Sequence, residues 1–134
     1  MFVQHLGIET DGKMALQTEP QWPQIQVAIQ NLDGQHATMV VLEATQEIHM
    51  AICGGTNGWC VVGVVAPEKK HYCLTDPAVL ENPGEIIGLP VTGTSGGYPR
   101  EMLVPLSMAL GVAKLFAEQG KLAENVVWKQ QAAA

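Results

Sequence analysis

The sequence predicts an α+β fold: a mainly antiparallel sheet of five to six strands with two helices packed on one face. Three observations predict it. Two segments, one near each end, carry apolar residues at helical spacing, and a run of short β-type segments lies between them. The connections within that run are a few residues long, too short for parallel crossovers. At 134 residues the chain fits one domain, 1–134, whose core can stand without metals or disulfides.

The opening residues, with Phe2, Val3, Leu6 and Ile8, read as a strand ended by the Asp11-Gly12 turn. Thr18-Glu19-Pro20-Gln21 has the form of a capping box, and Trp22, Ile25, Ile29 and Leu32 then fall on one helical face. Pro20 and Pro23 confine the helix start to a first turn where a missing N–H does no harm, and Asp33-Gly34 ends the helix.

Strands are expected at about 36–43, 47–53, 59–66, 70–74 and 85–91. In the second, Ile48, Met50 and Ile52 alternate with Glu47, His49 and Ala51, so one face is buried and the other wetter. The third, Trp59 to Ala66, is apolar on both faces, which implies a central position or a partner on its second face. Thr92 to Pro99 reads as a Gly/Tyr/Pro turn. The last helix runs from about Pro105, in its first position, to Glu118, with a stripe of Leu106, Ala109, Leu110, Ala113 and Phe116 or Ala117, widened by Met108, Val112 and Leu115. Gly120 is its C-cap, Leu122, Val126, Val127 and Trp128 fold the tail back onto the body, and Gln130 to Ala134 is a loose end.

Hydrophobic residues make up 47% of the chain and charged ones 15%, a globular composition with a lightly charged surface. The net charge of −6, with only seven Lys and Arg spread thinly, argues against nucleic acid as partner and suits a basic protein surface. No stretch has the roughly 20 apolar residues of a membrane span, and Met1-Phe2-Val3-Gln4-His5 lacks the pattern of a signal peptide, so a cytoplasmic protein with no membrane partner is expected. Three cysteines, Cys53, Cys60 and Cys73, form no CxxC pair and an odd count, so reduced thiols are expected.

Candidate chemistry is sparse. Cys53, Cys60 and Cys73 with His49 and His71 supply soft ligands, but their spacing fits no common zinc motif, and no metal or cofactor is expected. Cys53 with His49 or His71 is the only Cys/His nucleophilic arrangement to weigh, Cys53 lying beside the Gly54-Gly55 turn. The runs 54–58 and 93–97 are rich in Gly but fit neither a P-loop nor a dinucleotide fingerprint, and Asn57-Gly58 between apolar runs reads as a hairpin. The thirteen Asp and Glu residues sit mostly at turns and helix exteriors, with no pair placed for acid–base catalysis.

Trp22, Leu32-Asp33-Gly34, Ile52-Cys53-Gly54-Gly55, Tyr98-Pro99, the helix with Ala109, Ala113 and Phe116, Gly120-x-Leu122 and Trp128 together resemble immunity protein family one (Imm series) of bacterial polymorphic toxin systems. The resemblance spans Trp22 to Trp128. Some members of that family neutralise nucleic-acid deaminase toxins, so it implies a non-enzymatic protein that binds a cognate toxin domain, a deaminase or nuclease, and occludes its active site. Each matched position also has a structural use, which makes the match a signature of fold. Two departures, Val104-Pro105 where an acidic residue often opens the last helix and Trp59 where an Arg-Tyr or similar pair is usual, leave the fold in place but give no ground for carrying over another member's toxin specificity.

On that reading the candidate contacts are the aromatic residues Trp59 and Tyr72 with Glu43, Glu47 and Glu68 as acidic complements to a basic groove. A second reading is a small-ligand binder or enzyme using a cleft near Cys53, His71 and Tyr98. A third is a homodimer formed through the exposed side of the Trp59–Ala66 strand.

Overall fold

The computed structural model describes residues 2–45, 48–55, 58–66, 70–75, 86–91, 94–99, 102–124 and 126–131, those at 45, 86–91, 94–99 and 131 by their backbone alone. Along the chain run β1 (His5–Thr10), β2 (Lys13–Thr18), α1 (Trp22–Gln30), β3 (Ala37–Thr45), β4 (Ile48–Gly54), β5 (Trp59–Ala66), β6 (Lys70–Thr75), β7 (Ile86–Val91), β8 (Thr94–Pro99), β9 (Val104–Pro105), α2 (Leu106–Gln119) and β10 (Val127–Gln131).

The fold is α+β, with an antiparallel sheet of eight strands, not closed into a barrel, and both helices on one face. Its order is β10-β6-β5-β4-β3-β1-β2, with the two-residue β9 added to β5. The meander β3 to β6 follows from the short connections, and β5 lies between β4 and β6 as its two-sided apolar pattern suggests.

The expected five to six strands are too few, and the surplus has physical causes. Asp11 and Gly12 take φ of 53° and 79°, the left-handed values of a two-residue hairpin loop, so β1 turns straight back into β2 instead of ending at a loop. Thr18 therefore closes a strand and cannot cap a helix; the capping box at α1 is formed by Gln21 and Gln24, with Pro23 in the first turn. α1 also stops at Gln30, before the Asp33-Gly34 pair. Pro105 is the N-cap of α2 rather than its first helical residue. The tail is not loose at Gln130: β10 pairs with β6, Trp128 opposite Leu74, and Val127 stays exposed while Leu122, Val126 and Trp128 pack on the core. The segment read as a fifth sheet strand pairs instead with 94–99, read as a turn, in a separate two-stranded sheet.

α2 places Ala109, Val112, Ala113, Phe116 and Ala117 in the core, and the small side chains let it lie close to the sheet. The N–H groups of Phe2 and Val3 donate to the Ala117 carbonyl at 2.9 and 3.1 Å. This brings the Phe2 ring edge-on to Phe116, 5.6 Å between centroids at 78°. Gly120 ends the helix at φ 70°, its N–H donating to the Phe116 carbonyl at 2.9 Å, and a Cβ there would meet the Phe2 ring at 2.6 Å. At the sheet edge the Trp128 indole N–H donates to the Ala123 carbonyl at 3.0 Å.

The Leu32-Asp33-Gly34 turn is built on one carboxylate oxygen. The N–H groups of Gln35, His36 and Ala37 donate to Asp33 Oδ1 at 2.8, 2.8 and 3.0 Å, and the His36 ring reaches Asp11 across the β1–β2 turn at 2.9 Å. The Gln35 N–H above all, aided by His36 and Ala37, holds the Asp33 carboxyl below its ordinary 3.8. The hydrogen bond to Asp11, then the charges of Asp11 and Asp33, hold the His36 imidazolium above 6.5. The signs are opposite. The Asp33 contribution is present above pH 3.8 and lost as pH falls through its lowered pKa, whereas that of His36 is complete below 6.5 and lost as pH rises through its raised pKa. The His36 ring proton, followed by NMR, is expected to titrate with a midpoint above 6.5, and Asp11→Asn to bring that midpoint down.

Candidate binding face

The helices cover the face formed by Leu6, Val40, Leu42, Met50, Ile52, Val62, Val64 and Leu74, all buried. Because side chains alternate along each strand, the register fixes what lies on the opposite face. One row across it reads Leu16, Gly7, Val41, Ala51, Gly63, Cys73, Lys129. On one side of that row lie Met14, Glu9, Met39, Cys53 and Val61, and on the other Thr18, His5, Glu43, His49, Val65 and His71.

No helix covers this second face among the described residues, yet much of it is apolar. An antiparallel sheet with one solvated face ordinarily turns polar side chains outward, whereas here Met39, Val41, Ala51, Val61 and Val65 lie half-buried on that face. Met14 and Leu16 are 45% and 75% exposed beside them, with Met14 Sδ and a Leu16 methyl lying over Gly7, at 3.0 and 3.3 Å from where its Cβ would be. Among the described residues a Cβ on Gly63 would meet only the Tyr72 carbonyl, at 3.8 Å, whereas Cys73 and Thr75, on this same face of β6, are buried and β7 lies against β4, so the face is not open along its whole width.

Trp59, at the start of β5, shares this face with Val61 and is 44% exposed, so it is not a core residue. Glu43 lies on the same face, opposite His5 and His49, with an oxygen 3.7 Å from the His5 ring. Tyr72 does not join them. It pairs with Val64 and lies half-buried on the helix-covered face, so Trp59 and Tyr72 belong to opposite sides of the sheet. Glu47 and Glu68 lie outside the described residues.

The Cys/His arrangement is not assembled either. Cys53 and His49 are four residues apart on one strand, about 13 Å, and His71 is displaced as far along the sheet and two strands across. Burial, then the Glu9 carboxylate, push the Cys53 thiol up to about 11, opposite to what a nucleophile requires. Glu9 itself accepts a hydrogen bond from the Thr38 hydroxyl at 2.7 Å. Cys60, on the helix-covered face, is likewise raised to about 11 by burial and by Cys53. Tyr98 is placed by its backbone alone, opposite Ile87 in the β7–β8 hairpin. Among the described residues no group of three or more His, Cys, Asp or Glu is arranged to hold a metal ion.

Of the Gly-rich run after β4, the described residues Gly55 and Gly58 make local bonds between β4 and β5: the Gly55 N–H donates to the Trp59 carbonyl at 2.8 Å and the Gly58 N–H to the Gly55 carbonyl at 3.0 Å. Those donors are spent within the turn and do not cradle an anion. No helix of the described residues is long and apolar enough to cross a membrane. No protein-family model matches the chain, and no curated protein matches it.

Met14 and Leu16 are absent from the candidates read in the sequence because β2 is not expected there. Asp11-Gly12 between two alternating segments, Leu6 to Thr10 and Lys13 to Gln17, was the signal that could have found them.

Proposed function

We propose that this protein is an immunity protein that binds a cognate bacterial toxin domain, a nucleic-acid deaminase or nuclease, in the cytoplasm and occludes its active site without a cofactor. The observation that carries the reading is the helix-free sheet face, an apolar surface of Met39, Val41, Val61 and Val65 with exposed Trp59 at its end. Contiguous apolar surface of this kind marks an interaction site in a soluble protein. Its composition suits a binding protein: an aromatic at the margin, half-buried aliphatics in the middle, and carboxylates Glu9 and Glu43 on the face of a chain whose net charge is −6. The resemblance to immunity protein family one supplies the partner class.

On this account Trp59 and Glu43 contact the toxin, and Tyr72, on the other face, serves the core. The mechanism is steric: the toxin groove is filled by the sheet face, and the acidic charge speeds encounter with a basic groove. The testing experiment produces the protein in cells that carry the toxin domain encoded beside it, with growth and co-purification followed together. Growth rescue with one toxin domain bound per protomer is expected. A toxic neighbour that is neither rescued nor bound would overturn the proposal.

A further inference from the structure

A second candidate surface lies at the edge of the sheet, adjoining the face proposed for the toxin. β2 is the terminal strand, exposed at five of its six positions. Its hydrogen-bonding parity is fixed at both ends: the two-residue loop closes on the Thr10–Lys13 pair, and the Glu19 N–H donates to the Gln4 carbonyl at 2.9 Å. Lys13, Ala15 and Gln17 therefore aim their backbone groups at β1, and Met14, Leu16 and Thr18 aim theirs outward. Edge strands are ordinarily protected by proline, a bulge or inward-pointing charge; β2 has no proline, pairs with β1 without a bulge, and has Lys13 as its one charge.

We propose that β2 pairs antiparallel with β2 of a second copy of this chain about a two-fold axis at Ala15, joining two sheets edge to edge. The strand is complementary to itself in that register. The outward-aimed residues meet each other, Met14 opposite Leu16 of the second copy, apolar against apolar on the helix-free face. Within the paired strand Lys13 faces Gln17, so no like charges oppose each other there; just beyond it Glu19 comes opposite Asp11 of the second copy, which adds to the weakness of the association. The paired edge is the five residues Lys13 to Gln17, about 17 Å, which makes the association weak and concentration-dependent. The net charge of −6 on each copy opposes it, so added salt strengthens it.

The test is sedimentation of the full chain from micromolar to near-millimolar concentration, with three exposed-site variants checked for fold by circular dichroism. Wild type is expected to pass from monomer to dimer. Leu16→Lys should weaken association by about tenfold or more, because each dimer contains the altered pair twice. Ala15→Cys should form a covalent dimer on mild oxidation, since the two side chains face each other across the axis about 5 Å apart, whereas Lys13→Cys, facing Gln17, should not. A monomeric mass throughout would overturn the proposal. So would a dimer that Leu16→Lys leaves intact, or equal covalent yields from the two cysteine variants.

Discussion

Gly55→Ala is expected to lower stability by about 3 kcal/mol, roughly 10 °C in Tm, through two effects that add. Gly55 has φ of 103°, a conformation that L residues rarely adopt, and a Cβ there would collide with the Leu32 carbonyl and sit 2.8 Å from the Asp33 nitrogen. Both obstacles are backbone, held in place because Asp33 Oδ1 accepts three N–H bonds in the same turn, so neither gives way cheaply. Gly58→Ala separates the effects. Gly58 shares the unfavourable φ, at 79°, but a Cβ there meets nothing within 4 Å, so a loss of about 1 kcal/mol is expected. Denaturant unfolding of the two variants reads the difference, and equal losses would contradict the collision.

This contact also explains why the fold was partly legible. Leu32-Asp33-Gly34 and Gly54-Gly55, far apart in sequence, are two halves of one close approach between the end of α1 and the β4–β5 turn. Helical periodicity located both helices because each buries a stripe against the sheet, and β5 was placed to the residue because Trp59 to Ala66 is bounded by turns. What failed was structure held by distant partners. β10 has only Val127 and Trp128 as apolar residues and is a strand because β6 lies beside it. β8, with Ser95, Gly96, Gly97 and Pro99, has little strand propensity of its own and takes its form from pairing with β7. The site was less legible than the fold. β6 carries Tyr72 and Leu74 on one face and Cys73 and Thr75 on the other, so its pattern does not say which faces the helices, and Tyr72, named beside Trp59 as a candidate contact, lies on the opposite side of the sheet from it.

Trp59→Ala is expected to weaken toxin binding by tens to hundreds of times, about 2–4 kcal/mol, while leaving the protein folded. Large aromatic residues dominate interfaces of this kind when a partner desolvates them, and Trp59 is 44% exposed in the free protein, so its removal opens little core. Glu43→Gln tests the electrostatic part: it should slow association and flatten its dependence on salt, with a smaller effect on dissociation. Calorimetric titration of the toxin domain into each variant reads the affinity, and stopped-flow mixing reads the rate. A Trp59→Ala protein that binds as tightly as wild type would remove Trp59 from the interface.

If this protein is a toxin inhibitor of the kind proposed, the helix-free face is the surface that meets the toxin. The most direct test is growth rescue by Gly63→Arg beside Val27→Arg. Gly63 lies on that face with no positive φ, and among the described residues a Cβ there would meet only the Tyr72 carbonyl, at 3.8 Å, so arginine there places a bulky cation on the contact face and away from the helix-covered core. Val27 is 54% exposed on α1, on the helical side of the molecule, and receives the same change in charge. Gly63→Arg is expected to fold, fail to rescue and no longer co-purify with the toxin, while Val27→Arg rescues as wild type does. Full rescue by Gly63→Arg, or loss confined to Val27→Arg, would contradict that expectation.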